Sequence, residues 1–225
     1  MMLDRPIGVA GAGSIGCFVG GMYAAAGRRV ALLARPRVIR EIESNGLRLT
    51  SFEGFERRIA PSQLTLSDDP GIFADAGVVL VTVKSADTAE IAEAIARHAP
   101  PDAVVVSLQN GVGNTSLLRR RLPGRIVLAA MVPFNVIAPG EGRFHRATSG
   151  DIVIEQDDAG TAGRLSVPGL TMRTARDIAG VQWGKLSSIS TTRSTRSPIC
   201  RCASSLRSVH GECCSPTRSP KGWPR

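Results

Sequence analysis

The chain changes character at one point, and that point limits what can fold. Through Leu186, apolar runs alternate with glycine turns and helical stretches. The 39 residues 187–225 instead hold ten Ser, seven Lys and Arg, a single acid and four of the five Cys. Such a composition cannot bury a core. Any folded domain must come from residues 1–186, which suffice for one α/β domain of ordinary size. Charge divides the same way: residues 1–186 carry a net +3 and residues 187–225 the other +6 of the formal +9. The pI near 10.3 is therefore a property of the second part. Its basic residues are interleaved with Ser rather than with aromatic platforms, so no nucleic-acid partner is expected.

Residues 6–10 form a short apolar run that ends in Gly11-Ala12-Gly13-Ser14-Ile15-Gly16, and residues 17–26 are small and apolar at helical spacing. This predicts strand, tight glycine turn and helix, closed into a βαβ unit by a second buried strand over 30–34. The alternation continues with a helix over 37–44, two short strands within 47–59 around Gly54, an all-apolar strand over 78–83 and a helix over 88–98. A strand over 104–108, a helix over 115–121 and a strand over 126–131 follow. Such alternation implies an α/β fold with a doubly wound, mostly parallel, Rossmann-type sheet. Pieces at 144–148, 151–155 and 170–174 predict antiparallel edge strands extending that sheet. Asp177 then caps a helix that begins at 178 and starts something new. The expected organisation is a nucleotide-binding domain over 1–175, the start of a helical domain over 176–186 and an aberrant tail without fixed structure over 187–225. No leader precedes the glycine motif, and no run approaches ~18 apolar residues. A soluble, cytoplasmic chain without a membrane partner is expected.

The glycine motif gains weight from its setting. Gly11 permits the tight turn, Gly13 lets backbone approach a pyrophosphate, and Gly16 allows close helix–strand packing, with the anion at the helix N-terminus. An NAD site places a carboxylate at the end of the second strand for the ribose 2′-hydroxyl. Here the sequence is Ala34-Arg35-Pro36-Arg37, and the nearest acid in the chain is Glu41. Guanidinium groups match a 2′-phosphate, which favours NADP. Lys84 follows the 78–83 strand, and Gln109-Asn110-Gly111-Val112-Gly113-Asn114 follows the next. Open α/β sheets place ligands at such strand ends.

In order along residues 5–186, GAGSIG, Arg35, Val83-Lys84-Ser85, Leu108-Gln109-Asn110-Gly111-Val112-Gly113 and Trp183-Gly184-Lys185-Leu186 resemble the signature of the ketopantoate reductases, the 2-dehydropantoate 2-reductases. The resemblance implies NADPH-dependent reduction of a small 2-keto acid, 2-dehydropantoate, to pantoate in pantothenate and coenzyme A synthesis. It assigns Gly11, Ala12, Gly13, Ser14, Ile15, Gly16 and Arg35 to the cofactor, Lys84 and Asn110 to both cofactor and substrate, and Lys185 to substrate binding and catalysis as the acid. The chemistry agrees, since hydride delivery to a keto carbon needs a proton donor and a cation at the oxygen. A partly buried Lys can serve as both. The resemblance also implies an all-helical second domain after Lys185, supplying asparagines one and two turns on and then a serine and a glutamate. Residues 187–225 show none of it. A non-catalytic NADP-binding module and a reductase for another 2-keto or 3-hydroxy acid are the rival readings.

A displaced reading frame explains the departure. Ser and Cys codons mostly begin with T, and moved to the middle of a codon that T encodes an apolar residue. Restoring one base before the codons of residues 187–192 can turn SSISTT into LLNLNN, which places an asparagine one helical turn after Lys185. The frame reading also disposes of Cys200, Cys202, His210, Cys213 and Cys214, whose spacing fits no usual zinc site. No metal is expected.

Overall fold

The computed structural model describes residues 4–194, with side chains as far as Ser187. Its main sheet is eight-stranded, and the parallel run begins with β1 (Ile7–Ala10) and β2 (Val30–Leu33). It continues through β5 (Thr65–Ser67), β6 (Val78–Val81), β7 (Val104–Ser107) and β8 (Val127–Met131). β11 (Ile152–Glu155) joins β8 antiparallel, and β12 (Met172–Ala175) lies outside it, parallel to β11. The order is β12-β11-β8-β7-β6-β1-β2-β5, so direction of winding reverses between β1 and β6. That reversal opens a crevice at the C-terminal ends of these two strands, the usual ligand site of such sheets.

The central strands are buried on both faces, as continuous apolar runs require. Val78 and Leu80 of β6 face one core with α1 (Ser14–Ala25), and Val79 and Val81 face a second with α3 (Thr88–His98) and α4 (Asn114–Arg121). The helix α1 is apolar all round and needs cover on its far side. A second sheet supplies it, with order β4-β3-β10-β9, built from β3 (Leu47–Ser51), β4 (Glu56–Ile59), β9 (Val136–Gly140) and β10 (Arg143–Arg146). Glycines let the layers close: a Cβ on Gly20 would stand 2.7 Å from Leu32, and one on Gly21 would stand 2.9 Å from Leu49.

This second sheet corrects the expectation that 144–148 extends the main one. The strand there is β10, which pairs parallel with β3, with Phe144 opposite Leu49. Both side chains are buried in the core that α1 shares. The 78–83 strand also ends early, at Val81, because its neighbour β1 turns away after Ala10. Short pieces with no sequence signal, β5 and α5 (Thr161–Leu165), complete the crossovers.

After α2 (Pro36–Asn45), whose first residue is a proline suited to that position, the last element is α6 (Ile178–Ser194). Asp177 caps α6, its Oδ1 accepting from Gly180 N at 2.8 Å. The helix passes the composition break and runs on to Ser194. The expected tail over 187–225 thus begins inside a helix, and its remainder lies outside the described residues. Among the described residues no helix is long and apolar enough to cross a membrane.

Candidate functional site

Every sequence-predicted site residue follows the C-terminal end of a parallel strand or lies on α6 above that edge. After β1 the chain turns at Gly11, whose φ of 109° favours glycine. α1 then starts with no side chain capping it, leaving the first-turn N–H groups of Ser14, Ile15 and Gly16 to meet a ligand. A Cβ on Gly16 would collide with the Gly11 carbonyl oxygen, whereas Gly13 has open space around it. One glycine is thus needed for packing and the other leaves room for an approaching group. Thr82, which the sequence reading passed over, fastens this loop: its N–H donates to Ala10 O at 2.9 Å and its hydroxyl to Gly11 O at 2.6 Å.

The loop borders a cleft of about 570 Å³. Gly11, Ala12 and Gly13 form its floor, Arg35, Pro36 and Arg37 one wall, and Val83, Lys84 and Ile91 the other. Arg37 is tied to Glu41 of its own helix, Nη1 to Oε2 at 3.2 Å. Arg35 is exposed and makes no ion pair among the described residues. Asp68 also lines the cleft. It arrives from β5, so spacing from the glycine motif could not reveal it.

Asn110 and Lys185, 75 positions apart, meet at the other side of the edge. Lys185 Nζ donates to Asn110 Oδ1 at 2.7 Å and to Val132 O at 2.5 Å. One turn earlier on α6, Gln182 Nε2 donates to Ala130 O at 3.1 Å. Two side chains on one helical face therefore fasten α6 to the end of β8. Burial lowers the Lys185 pKa from the ordinary 10.5. The cavity beside it is about 30 Å³ and includes Leu186 in its wall, while Trp183 of the same motif is exposed. Lys84 lines the larger cleft and Lys185 the smaller cavity.

A buried amide couples the two places. Gln109 Nε2 donates to Val83 O at 3.1 Å and to Thr88 Oγ1 at 2.8 Å, and its Oε1 accepts from Ser107 Oγ at 3.1 Å. Asn114 Nδ2 donates to Asn110 O at 2.8 Å and to Ser85 Oγ at 3.1 Å. The loop carrying Lys84 and the loop carrying Asn110 are thereby held in one register. Both amides stood in the sequence motif, but periodicity could not tell that they point inward.

A glycine loop at the switch point of a 3-2-1-4-5-6 sheet, open to a helix N-terminus, defines a Rossmann-type α/β fold. The family signature described as ketopantoate reductase PanE/ApbA matches residues 7–158, and the chain belongs to that family. It is 35% identical over 147 residues to the 2-dehydropantoate 2-reductase of Halobacterium salinarum, covering 65% of this chain and 47% of that protein. To the 2-dehydropantoate 2-reductase of Archaeoglobus fulgidus it is 29% identical over 175 residues, covering 77% and 55%. The fold matches the PanE/ApbA family ketopantoate reductase of Ralstonia eutropha JMP134 with a TM-score of 0.73 and 36% identity, over 80% of this chain and 60% of that one. The chain spans about half the length of the curated relatives it matches.

Proposed function

We propose that this chain is the cofactor-binding part, with the proton donor attached, of an NADPH-dependent reductase that converts 2-dehydropantoate to pantoate in the cytoplasm. The observation that carries the reading is the convergence of Lys185 Nζ on Asn110 Oδ1, at the edge that also holds the glycine loop. The relatives' name supplies the substrate. Arg35 favours NADPH: it lies on the cleft wall past β2, where a 2′-phosphate would meet its guanidinium.

The residues present fit a dinucleotide. Gly13 leaves open space beside uncapped N–H groups of α1, and Gly16 brings helix and loop together as closely as backbone permits. When bound, the reduced nicotinamide supplies the hydride. The protein's own part is charge and proton at the ketone oxygen. That oxygen gains negative charge as its carbon is reduced, and Lys185 Nζ would bond it in place of Asn110 Oδ1, then give up a proton. Burial makes that proton easier to release. Gln182 and Val132 O keep the amine over the edge, and Gln109 keeps Asn110 in register with Lys84.

The same reading takes residues 187–225 as displaced by one base. Its support is the abrupt composition change and the leucine- and asparagine-bearing helix that the adjacent frame can encode. Resequencing the DNA around the Leu186 codon tests it, with an open adjacent frame as the expected result. For the activity, oxidation of NADPH is followed in the presence of 2-dehydropantoate, for this chain and for one with a base restored after that codon. Tight NADPH binding by both, with turnover only in the second, is expected. Failure of both to turn over 2-dehydropantoate while binding NADPH would favour a non-catalytic module.

A further inference from the structure

The chain has four asparagines, and two of them, Asn45 and Asn110, precede glycine. Asparagine before glycine is the pair most open to internal attack on the side-chain amide, because no β-carbon shields the next backbone nitrogen. The two pairs share that chemistry and differ in surroundings. Gly46 N donates to Ile42 O at 2.7 Å at the end of α2, and Asn45 Nδ2 donates to Glu41 O at 3.0 Å. The first pair is thus locked as a helix cap. At the second, Gly111 N makes no hydrogen bond among the described residues, and Asn110 is exposed. The Asn110 side-chain oxygen Oδ1 also accepts from Lys185 Nζ at 2.7 Å.

We infer that Asn110 is a self-modification site, converted to aspartate and isoaspartate with help from Lys185. Gly111 N attacks Asn110 Cγ and loses its proton to solvent as the new C–N bond forms. Negative charge develops on Oδ1, where the Lys185 ammonium already stands, an arrangement equivalent to an oxyanion donor. Collapse breaks Cγ–Nδ2, and the nitrogen leaves as ammonia after taking a proton from water. Water then opens the five-membered imide at either carbonyl. Each product places a carboxylate beside Lys185, which favours its charged form and opposes the lowering caused by burial. The isoaspartate product also adds a methylene to the backbone just before Gly111. That this would impair cofactor and substrate handling rests on the proposed function, whereas the modification does not.

The test is incubation of the full chain at neutral pH and body temperature, with peptide mass spectrometry reading the one-dalton gain at each asparagine. Asn110 should convert about tenfold faster than Asn45, the factor expected when a single backbone hydrogen bond must be broken first. Equal rates, or faster conversion at Asn45, would overturn the proposal. Lys185→Met should slow Asn110 by roughly threefold or more and leave Asn45 unchanged. An unchanged Asn110 rate in a variant with the parent's circular dichroism would remove Lys185 from the step. If that variant does not fold, Lys185 can instead be acetylated in the native chain and the two rates compared again, with the same two outcomes. Saturating NADPH should slow only Asn110. Lack of that protection would count against the cofactor reading and leave the modification standing.

Discussion

The cleft beside the glycine loop and the Lys185 corner lie along one sheet edge but are built from different materials. The cleft of about 570 Å³ is shaped mainly by backbone: a glycine turn, an uncapped helix start and two strand-end loops, all within residues 11–94. The corner encloses about 30 Å³ and depends on side chains that reach across 75 positions, with Lys185 bonded back onto Asn110 and Val132. A cavity made by backbone turns is ready when its sheet folds. On the proposed function, one lined by its own lysine needs substrate, and something to orient it, before that lysine acts. Binding and turnover should therefore be separable in this protein.

The largest expected effect is on rate. A chain with the proposed frame restored after Leu186 should turn over 2-dehydropantoate at least ~100-fold faster than the present chain, because misplacement by ~1 Å already costs that much. Lys185→Ala in the restored protein should remove ~10²–10⁴-fold, as loss of a positioned proton donor does. Steady-state rates that match between the present and restored chains would show that the corner is complete as it stands.

The next effect concerns the cleft alone. Arg35→Glu should weaken NADPH by ~10- to 100-fold and leave NADH nearly unchanged, since charge-assisted bonds to a 2′-phosphate are worth ~1.5–3 kcal/mol. Fluorescence titration with both cofactors measures this. If the unaltered protein already binds the two equally, Asp68, at the end of the neighbouring strand β5, becomes the group to change.

A smaller effect would show how far the two regions depend on each other. Gln109→Leu removes the amide that bonds Val83 O, Thr88 Oγ1 and Ser107 Oγ and should cost ~1–3 kcal/mol of stability in urea unfolding. It should loosen both NADPH binding and the Lys185–Asn110 contact, whereas a change confined to one region would show them to be independent.

The smallest effect is one of pH. Burial lowers the Lys185 pKa below 10.5, so a reagent selective for neutral amines should modify it at a lower pH than an ordinary lysine. The unfolded chain holds that proton more tightly than the folded one. The cost of burying the charge is thus fully present below the folded pKa and is relieved as pH rises through it toward 10.5. Labelling of Lys185 with the ordinary midpoint would mean that the corner is wetter than its bonds suggest.

Much of the fold was legible in the residues themselves. Period-2 and period-3.6 patterns separate strands from helices, and GAGSIG between an apolar strand and an apolar helix allows few other geometries. The cleft's floor and its Arg35 wall followed, because they are local to β1 and β2. Less legible was anything that depends on which surfaces meet. Residues 144–148 read as one more edge strand. Only the need to cover the far side of α1 places them beside β3.

Short-range pattern and backbone freedom were enough to reveal the doubly wound sheet, the glycine turn and the family. The folded arrangement was needed to show that Thr82 clamps the glycine loop, that Gln109 joins two strand-end loops, and that Lys185 meets Asn110. It also decided that two identical Asn-Gly pairs stand in opposite circumstances, one capping a helix and the other beneath a lysine. The Thr82, Gln109 and Lys185 bonds join groups 26 to 75 positions apart, where packing geometry, rather than local propensity, selects the partner.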